Sequence, residues 1–355
     1  MSAVIIAARR SAVCPRDGAF ARLSLEALAA PVIAALLADA GMQATEVDEV
    51  ICANALGAGG NPARRVALAA GLPERVAGLT IDRQCAGGLD AIRLAAAMVA
   101  SGQARVVLAG GVESYSRRPL RLHTDPDGGS AMPYDQPPFT PWPDRDPDMT
   151  MAAAALATRL CISRTTQDTW AVASHAKARG LGFPEIVPIA GIAHDPFTRD
   201  LTPAQATRIK PLHGSITPAN TAVAADAAAF CLVTAPNLAG LQAMHILASA
   251  TLGAAPGEPG LSPLPAIRAV WQGQPLARIE IMEAYAAQVI ACITQAGIDP
   301  TLVNLRGGAL ARGHPIGASG AILAVRLFHD LRLREQGLAA IAAAGGIGTA
   351  IRFGR

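Results

Sequence analysis

The chain has 355 residues, 51% of them hydrophobic and 16% charged, which is enough apolar material to bury one large core or two ordinary ones and excludes disorder for most of its length. A net charge of +3 with only 4% aromatic residues excludes the basic, aromatic-laced surface of a nucleic-acid-binding protein. The richest apolar stretches, 27–38 and 337–351, are too short for a bilayer and are broken by Pro31 or by glycines, so a soluble protein with no membrane partner is expected.

In chain order, MSAVIIAARR reads as a first strand (3–7) rather than a signal peptide, and the final Gly-Arg matches no address motif. Alanine-rich helical patterns at 25–40, 63–70 and 88–101 then alternate with β-branched runs at 49–53, 78–81 and 105–109, an α/β signature. From Ser114 to about Pro147 the texture breaks into RRPLRLHTDPDGGS and DQPPFTPWPDRDP, too irregular for a core element and too long for a plain connection. A helical pattern follows over 150–180, with Thr165 a candidate N-cap and Asp168 where a capping box would place Glu or Gln. A second irregular stretch runs to Thr217, after which the alternation resumes to the end. Residues 91–111 and 321–346 share one plan of alanine-rich helix, polar turn, apolar strand and Gly-Gly corner, which suggests two similar halves with a site between them.

The six cysteines (14, 52, 85, 161, 231 and 292) stand singly, with no CxxC pair and no His cluster at ligand spacing. No metal site is expected, and scattered thiols fit a reducing, cytoplasmic compartment better than a disulfide framework. Cys85 follows a strand-like run and precedes two glycines and a helix. There the unpaired N–H groups and the helix dipole would favour thiolate and lower the pKa, although most free cysteines are merely small buried hydrophobes. The glycines either clear space for a substrate or serve a tight turn. His314 lies in the glycine-rich GGALARGHPIGASGA, where an imidazole could take a thiol proton or hydrogen-bond a carbonyl. The histidines at 123, 175, 194, 213, 245 and 329 lack such surroundings. The run Ala342 to Gly348 lacks the lysine of a phosphate loop and the GxGxxG spacing, but a glycine corner's backbone N–H groups could hold an oxyanion.

The segments IDRQCAGGLDAI, VLAGGVES, GLSPLPAI, MEAYAAQ and GGALARGHPIGASGA resemble successive signature blocks of the thiolases. GAGGNPARRVALAAGLP, SRTTQDTWAVASHAKA, EIVPI and GSITPANTAVAADAAA resemble further thiolase segments in the same order. The resemblance implies a five-layered αβαβα fold. Residues 1–114 with 218–235 would form one half and 236–355 the other, with an inserted loop domain, 115–217, that holds coenzyme A. It implies dimers or tetramers, acyl-CoA thioesters as substrates, coenzyme A as substrate or product, and no permanently bound cofactor. Carried over by motif, Cys85 would be the acyl-accepting nucleophile and His314 its activator. The N–H groups of Cys85 and Ala344 would form an oxyanion hole, Met149, Glu283 and Tyr285 would belong to the pocket, and Pro218 and Ala222 would lie by coenzyme A.

This chain also departs from the family pattern. Met282 stands where thiolases usually have an asparagine that orients an oxyanion-hole water, and Ala342 where they have a second cysteine acting as acid and base on the α-carbon. Ala222 replaces a common serine, and Asp148 a common histidine. The expected activity is therefore acyl transfer to Cys85 with an impaired or altered Claisen step. The alternatives are a decarboxylative or non-Claisen acyltransferase using Cys85 and His314 only, or a catalytically silent homologue that binds CoA thioesters.

Overall fold

The β-branched runs of the first hundred residues form strands β1 (Val4–Ser11), β2 (Glu49–Ala53), β3 (Ala77–Ile81) and β4 (Val106–Glu113). The alanine-rich segments between them form helices α1 (Leu25–Ala40), α2 (Pro62–Ala69) and α3 (Gly87–Ser101). Local chemistry sets their ends. Ser24 Oγ accepts the Ala27 N–H and Asn61 Oδ1 accepts the Arg64 N–H, which supplies partners for amides that the first turn leaves orphaned. Gly41 and Gly102 close α1 and α3 in the left-handed conformation. The computed structural model describes residues 3–355 apart from 58, 239 and 241. Met1 and Ser2 of the first run and Ala58 of GAGGNPARR thus lie outside the described residues.

The later main elements are α4 (Met149–Arg159), α5 (Arg164–Ala178), β5 (Ala225–Thr234), β6 (Met244–Gly253), α6 (Pro263–Val270), β7 (Arg278–Ile281), α7 (Ala286–Ala296), α8 (Ile316–Asp330), β8 (Gln336–Ala343) and β9 (Ile347–Gly354). The strands hydrogen-bond in the order β7-β8-β9-β6-β1-β5-β4-β2-β3, and two short strands, Cys14–Pro15 and Ile186–Val187, pair with β5 and β1 to complete an eleven-stranded sheet. β2 runs parallel to β3 and β4, and β7 parallel to β8, while the other pairs along this order are antiparallel. The two half-sheets join at a short antiparallel seam, where Val4 and Ile5 face His245 and Met244.

Apolar burial separates five layers. Helices α1 and α2 cover one face of the first half-sheet through Leu28, Ile33, Leu36 and Val66, packed with Val50 and Phe230. Helices α6 and α7 cover the second half-sheet through Ile267, Val289 and Ile293 against Leu338. Between the half-sheets, α3 and α8 pack on each other and bury Leu89, Ile92, Ile322 and Val325 with Ile5, Val107, Ala339 and Ile351. A buried ionic network ties the central helix to the loop region. Arg10 binds Asp195 at 2.8 Å and Glu185 at 3.3 Å, and Arg326 binds Glu185 and Asp330, each at 2.6 Å.

Four local expectations change. The helical pattern over 150–180 is two helices, because the chain turns at Cys161, whose φ is +54°, and restarts at Ser163. Ser163, not Thr165, is the N-cap, and Asp168 instead pairs with Arg164 at 2.6 Å and accepts Asn220 Nδ2 at 3.0 Å. The irregular stretch after Ser114 contains a small hairpin, Arg121–His123 with Met132–Tyr134. The two Gly-Gly pairs are not equivalent. Gly345 and Gly346 have positive φ and turn β8 into β9, whereas Gly110 and Gly111 lie inside β4. There an added Cβ would collide with the backbone carbonyls of Ala229 and Gly317, so glycine is needed for close approach rather than for a turn.

Candidate active site

Strand β3 delivers the chain to a single 3-10 turn, Gln84–Ala86, that carries Cys85 at the start of α3. Gln84 is held at φ +48°, a conformation that costs a non-glycine residue ~1–3 kcal/mol. Asp82 supports it by accepting the Gln84 backbone N–H at 2.9 Å and Nε2 at 3.2 Å. The glycines after Cys85 do not border the substrate space. Gly87 gives room to Ala53, and Gly88 lets α3 approach the Gly317 carbonyl and Ala321 of α8. That crossing brings the start of α8, from the other half, against Cys85. Gly313, at φ +114°, precedes His314, whose backbone N–H donates to Val223 O at 2.7 Å. His314 Nε2 thereby comes within 3.2 Å of Cys85 Sγ, a nucleophile–base contact spanning 229 residues of sequence.

Burial dominates the electrostatics. It pushes the Cys85 thiol up to about 12, with the N–H groups of Cys85 and Ala344 acting in the opposite direction and Glu113 and Asp82 adding to the rise. Burial lowers the His314 imidazole to about 4. Burial thus works against the depression of the thiol pKa expected at a helix N-terminus, while the N–H groups of Cys85 and Ala344 work for it. Desolvation weighs more than the N–H groups and favours a neutral thiol facing a neutral imidazole.

Cys85 and His314 open into a cavity of about 390 Å³. Of the other sequence candidates, Ala344, Ala342, Met149, Tyr285 and Ala222 line it. Met282 does not. Its side chain is 2% exposed and belongs to the central core with α3 and α8, and its N–H donates to Ala340 O. Glu283 also lies outside the lining, as a buried acceptor for Trp170 Nε1 (3.0 Å), Ser174 Oγ (2.8 Å), Asn304 Nδ2 (2.8 Å) and Leu310 N–H (3.1 Å). Pro218 is exposed and outside the lining as well. Asp148 lines the cavity and caps α4, accepting the N–H groups of Thr150 and Met151 at 2.8 and 3.0 Å. None of the remaining histidines lines it; His123 stacks on Tyr134 and His329 Nε2 meets Ala8 O.

Sequence reasoning missed several cavity residues. Arg118 and Arg121 stand in the lining, anchored on Asp135 and on the Ala55 and Leu56 carbonyls, and the only signal for them was the arginine-rich texture of RRPLR. Tyr115 lines the same space, its phenol pushed up by burial and by Cys85 and Glu113 nearby. Among the described residues no group of three His, Cys, Asp or Glu could hold a metal, all six cysteines are free, and no helix is long and apolar enough to cross a membrane.

With this geometry in view, residues 3–237 match the family model "Thiolase, N-terminal domain" and residues 241–355 match "Thiolase, C-terminal domain". The chain is 37% identical over 388 residues to an acetyl-CoA acetyltransferase of Cupriavidus necator, covering 99% of both chains. It superposes on a crystal structure of the Bacillus anthracis acetyl-CoA acetyltransferase with TM-score 0.91 and 33% identity, covering 99% of this chain and 98% of that one. It also superposes on the Acat5 thiolase from Ascaris suum in complex with coenzyme A, with TM-score 0.91 and 27% identity over the full length of both.

Proposed function

The chain belongs to the thiolase family, and from that premise we propose that it is an acyl-CoA C-acyltransferase in which Cys85 accepts the acyl group of a CoA thioester. The observation that carries this reading is the 3.2 Å contact between His314 Nε2 and Cys85 Sγ at the wall of a cavity of about 390 Å³. His314 takes the thiol proton as Sγ attacks the thioester carbonyl. The oxyanion forms beside the N–H groups of Cys85 and Ala344. When it collapses, the carbon–sulfur bond to coenzyme A breaks and His314 returns the proton to the departing thiolate.

The second half-reaction is where this chain departs from its family. Ala342 lines the cavity where the resemblance expects a cysteine base, and a methyl group cannot remove a proton from carbon. Met282, in place of the asparagine, is packed into the core. A lost base costs roughly 10²–10⁴ in rate and a lost oxyanion donor roughly 10²–10³, so condensation or thiolysis is slowed far more than acylation. The same observation favours a second reading, decarboxylative condensation: loss of CO₂ leaves the electron pair on the α-carbon with no base required, and that carbanion attacks the acyl-Cys85 thioester, whose carbon–sulfur bond breaks to release Cys85 as a thiolate that then takes up a proton. A silent CoA-thioester-binding homologue is the third reading.

We assign 115–217 as the segment that holds coenzyme A, with Ala222 beside it. The pairing of β5 with β1 and β4 supports grouping 218–235 with 1–114. A homodimer or homotetramer in a reducing cytoplasm completes the reading. The test is intact-protein mass spectrometry after incubation with acetyl-CoA, longer acyl-CoAs and malonyl-CoA. An acyl adduct on the wild type that is absent from Cys85→Ala is expected. Absence of any adduct selects the silent homologue, and condensation with malonyl-CoA but not acetyl-CoA selects the decarboxylative enzyme.

A further inference from the structure

His314 makes a second contact that acyl transfer, as derived above, leaves unused. Its Nδ1 lies 2.6 Å from Ser319 Oγ, and Ser319 Oγ lies 3.2 Å from Pro315 O, placed to donate to it. Ser319 is 3% exposed, on the first turn of α8, and Pro315 O also receives the backbone N–H groups of Ala318 and Ser319. A hydroxyl has one proton to give. In the arrangement where that proton goes to the Pro315 carbonyl, Oγ accepts from the ring, Nδ1 carries the imidazole proton and Nε2 presents its lone pair to Cys85 Sγ.

We propose that Ser319 is a positioning residue that fixes the His314 tautomer, completing a Cys85–His314–Ser319 relay in which the imidazole is held ready to accept the thiol proton. The proposal rests on the reading of Cys85 as nucleophile and adds the group that makes His314 a base rather than a donor toward it. A neutral hydroxyl holds the ring without the charge of a carboxylate, so the imidazolium gains little from its partner and the proton leaves sulfur only as Sγ attacks an electrophile, an acyl carbonyl or an alkylating agent. The titratable groups facing the pair are Glu113 of β4, Asp82 after β3, and Tyr115 and Tyr285 of the cavity wall; among the described residues none hydrogen-bonds His314.

Two measurements test the relay. In protein labelled with ¹⁵N-histidine, the His314 ring is expected to be protonated at Nδ1, and a ring protonated at Nε2 overturns the proposal. Separately, alkylation of Cys85 by iodoacetamide is followed from about pH 6 to pH 10 in wild type, Ser319→Ala and Ser319→Thr, with no thioester present. Ser319→Ala is expected to slow alkylation ~10- to 100-fold near pH 7, the range found when a metal-bound histidine loses its outer-shell partner, and to converge with wild type near pH 10, where base from solvent suffices. Ser319→Thr, which keeps the hydroxyl, restores the wild-type profile. Wild-type alkylation of Ser319→Ala near pH 7 overturns the relay. Because alkylation uses no acyl-CoA, normal Ser319 dependence alongside absent acyl adducts would count against the proposed acyltransferase and leave the relay standing.

Discussion

Desolvation decides how Cys85 behaves. Burial raises the thiol and lowers the imidazole beside it, and so favours the neutral form of both. Thiolate is the reactive form, so alkylation of Ser319→Ala, which lacks the relay, should rise ~tenfold per pH unit from about pH 7 to pH 10 with no plateau near pH 7, while the histidine-assisted wild type rises less steeply. A plateau there, measured by quenched mass spectrometry, would mean that a thiolate–imidazolium pair forms in the resting enzyme. Sequence picked out Cys85 and His314 because a lone thiol before Gly-Gly and a histidine inside five glycines are unusual settings. It left out the weight of burial on the thiol, since dipole and N–H groups can be inferred from a helix start but the amount of protein stacked over it cannot. Burial also separates Met282, a core side chain, from Tyr285 three residues later, whose hydroxyl meets Thr150 Oγ1 at 3.2 Å on the cavity wall.

Among the elements, periodicity located helix α1 and strand β2 with the bounds they adopt, and Pro31 did not disturb the first. It ran α4 and α5 together because alanine-rich helices on either side of Cys161 share one texture, and a left-handed residue that is not glycine leaves no mark in sequence. The Gly-Gly echo misled for a related reason: glycine reports a need for space or for positive φ without saying which. In β4 the need is space, where Gly111 lies against the Gly317 backbone at the start of α8. Gly111→Ala should push that helix start outward and carry His314 from Cys85. Displacement near 1 Å costs ~10²-fold in rate, so acyl-adduct formation should fall by about that factor. An adduct rate within threefold of wild type would show that the contact does not set the catalytic distance.

At the scale of the whole molecule, charge is buried where three regions meet, and sequence gave no notice of it because Arg10, Glu185, Asp195 and Arg326 are scattered along the chain. Burial works against ionised Glu185, yet Arg10 and Arg326 overcome it and hold its carboxyl down to about 2. Its contribution to stability is present above the ordinary carboxylate pKa and is lost as pH falls from about 4.5 to 2. Glu280 has the opposite sign: burial, with Arg312 only as near as 4.0 Å, raises it to about 7. Its penalty is absent below about pH 4.5 and grows as pH rises to 7. Glu280→Gln should therefore melt a few degrees above wild type at pH 8 and match it at pH 4 by calorimetry, and equal melting temperatures at pH 8 would contradict the assignment. The two halves touch through a narrow strand seam and a pair of crossed helices, and the thiol of one faces the imidazole of the other. Proton transfer is consequently a measure of registration between them. Neither fragment alone could carry it out, and a slip of the halves too small to alter either core would silence the molecule while it remained folded.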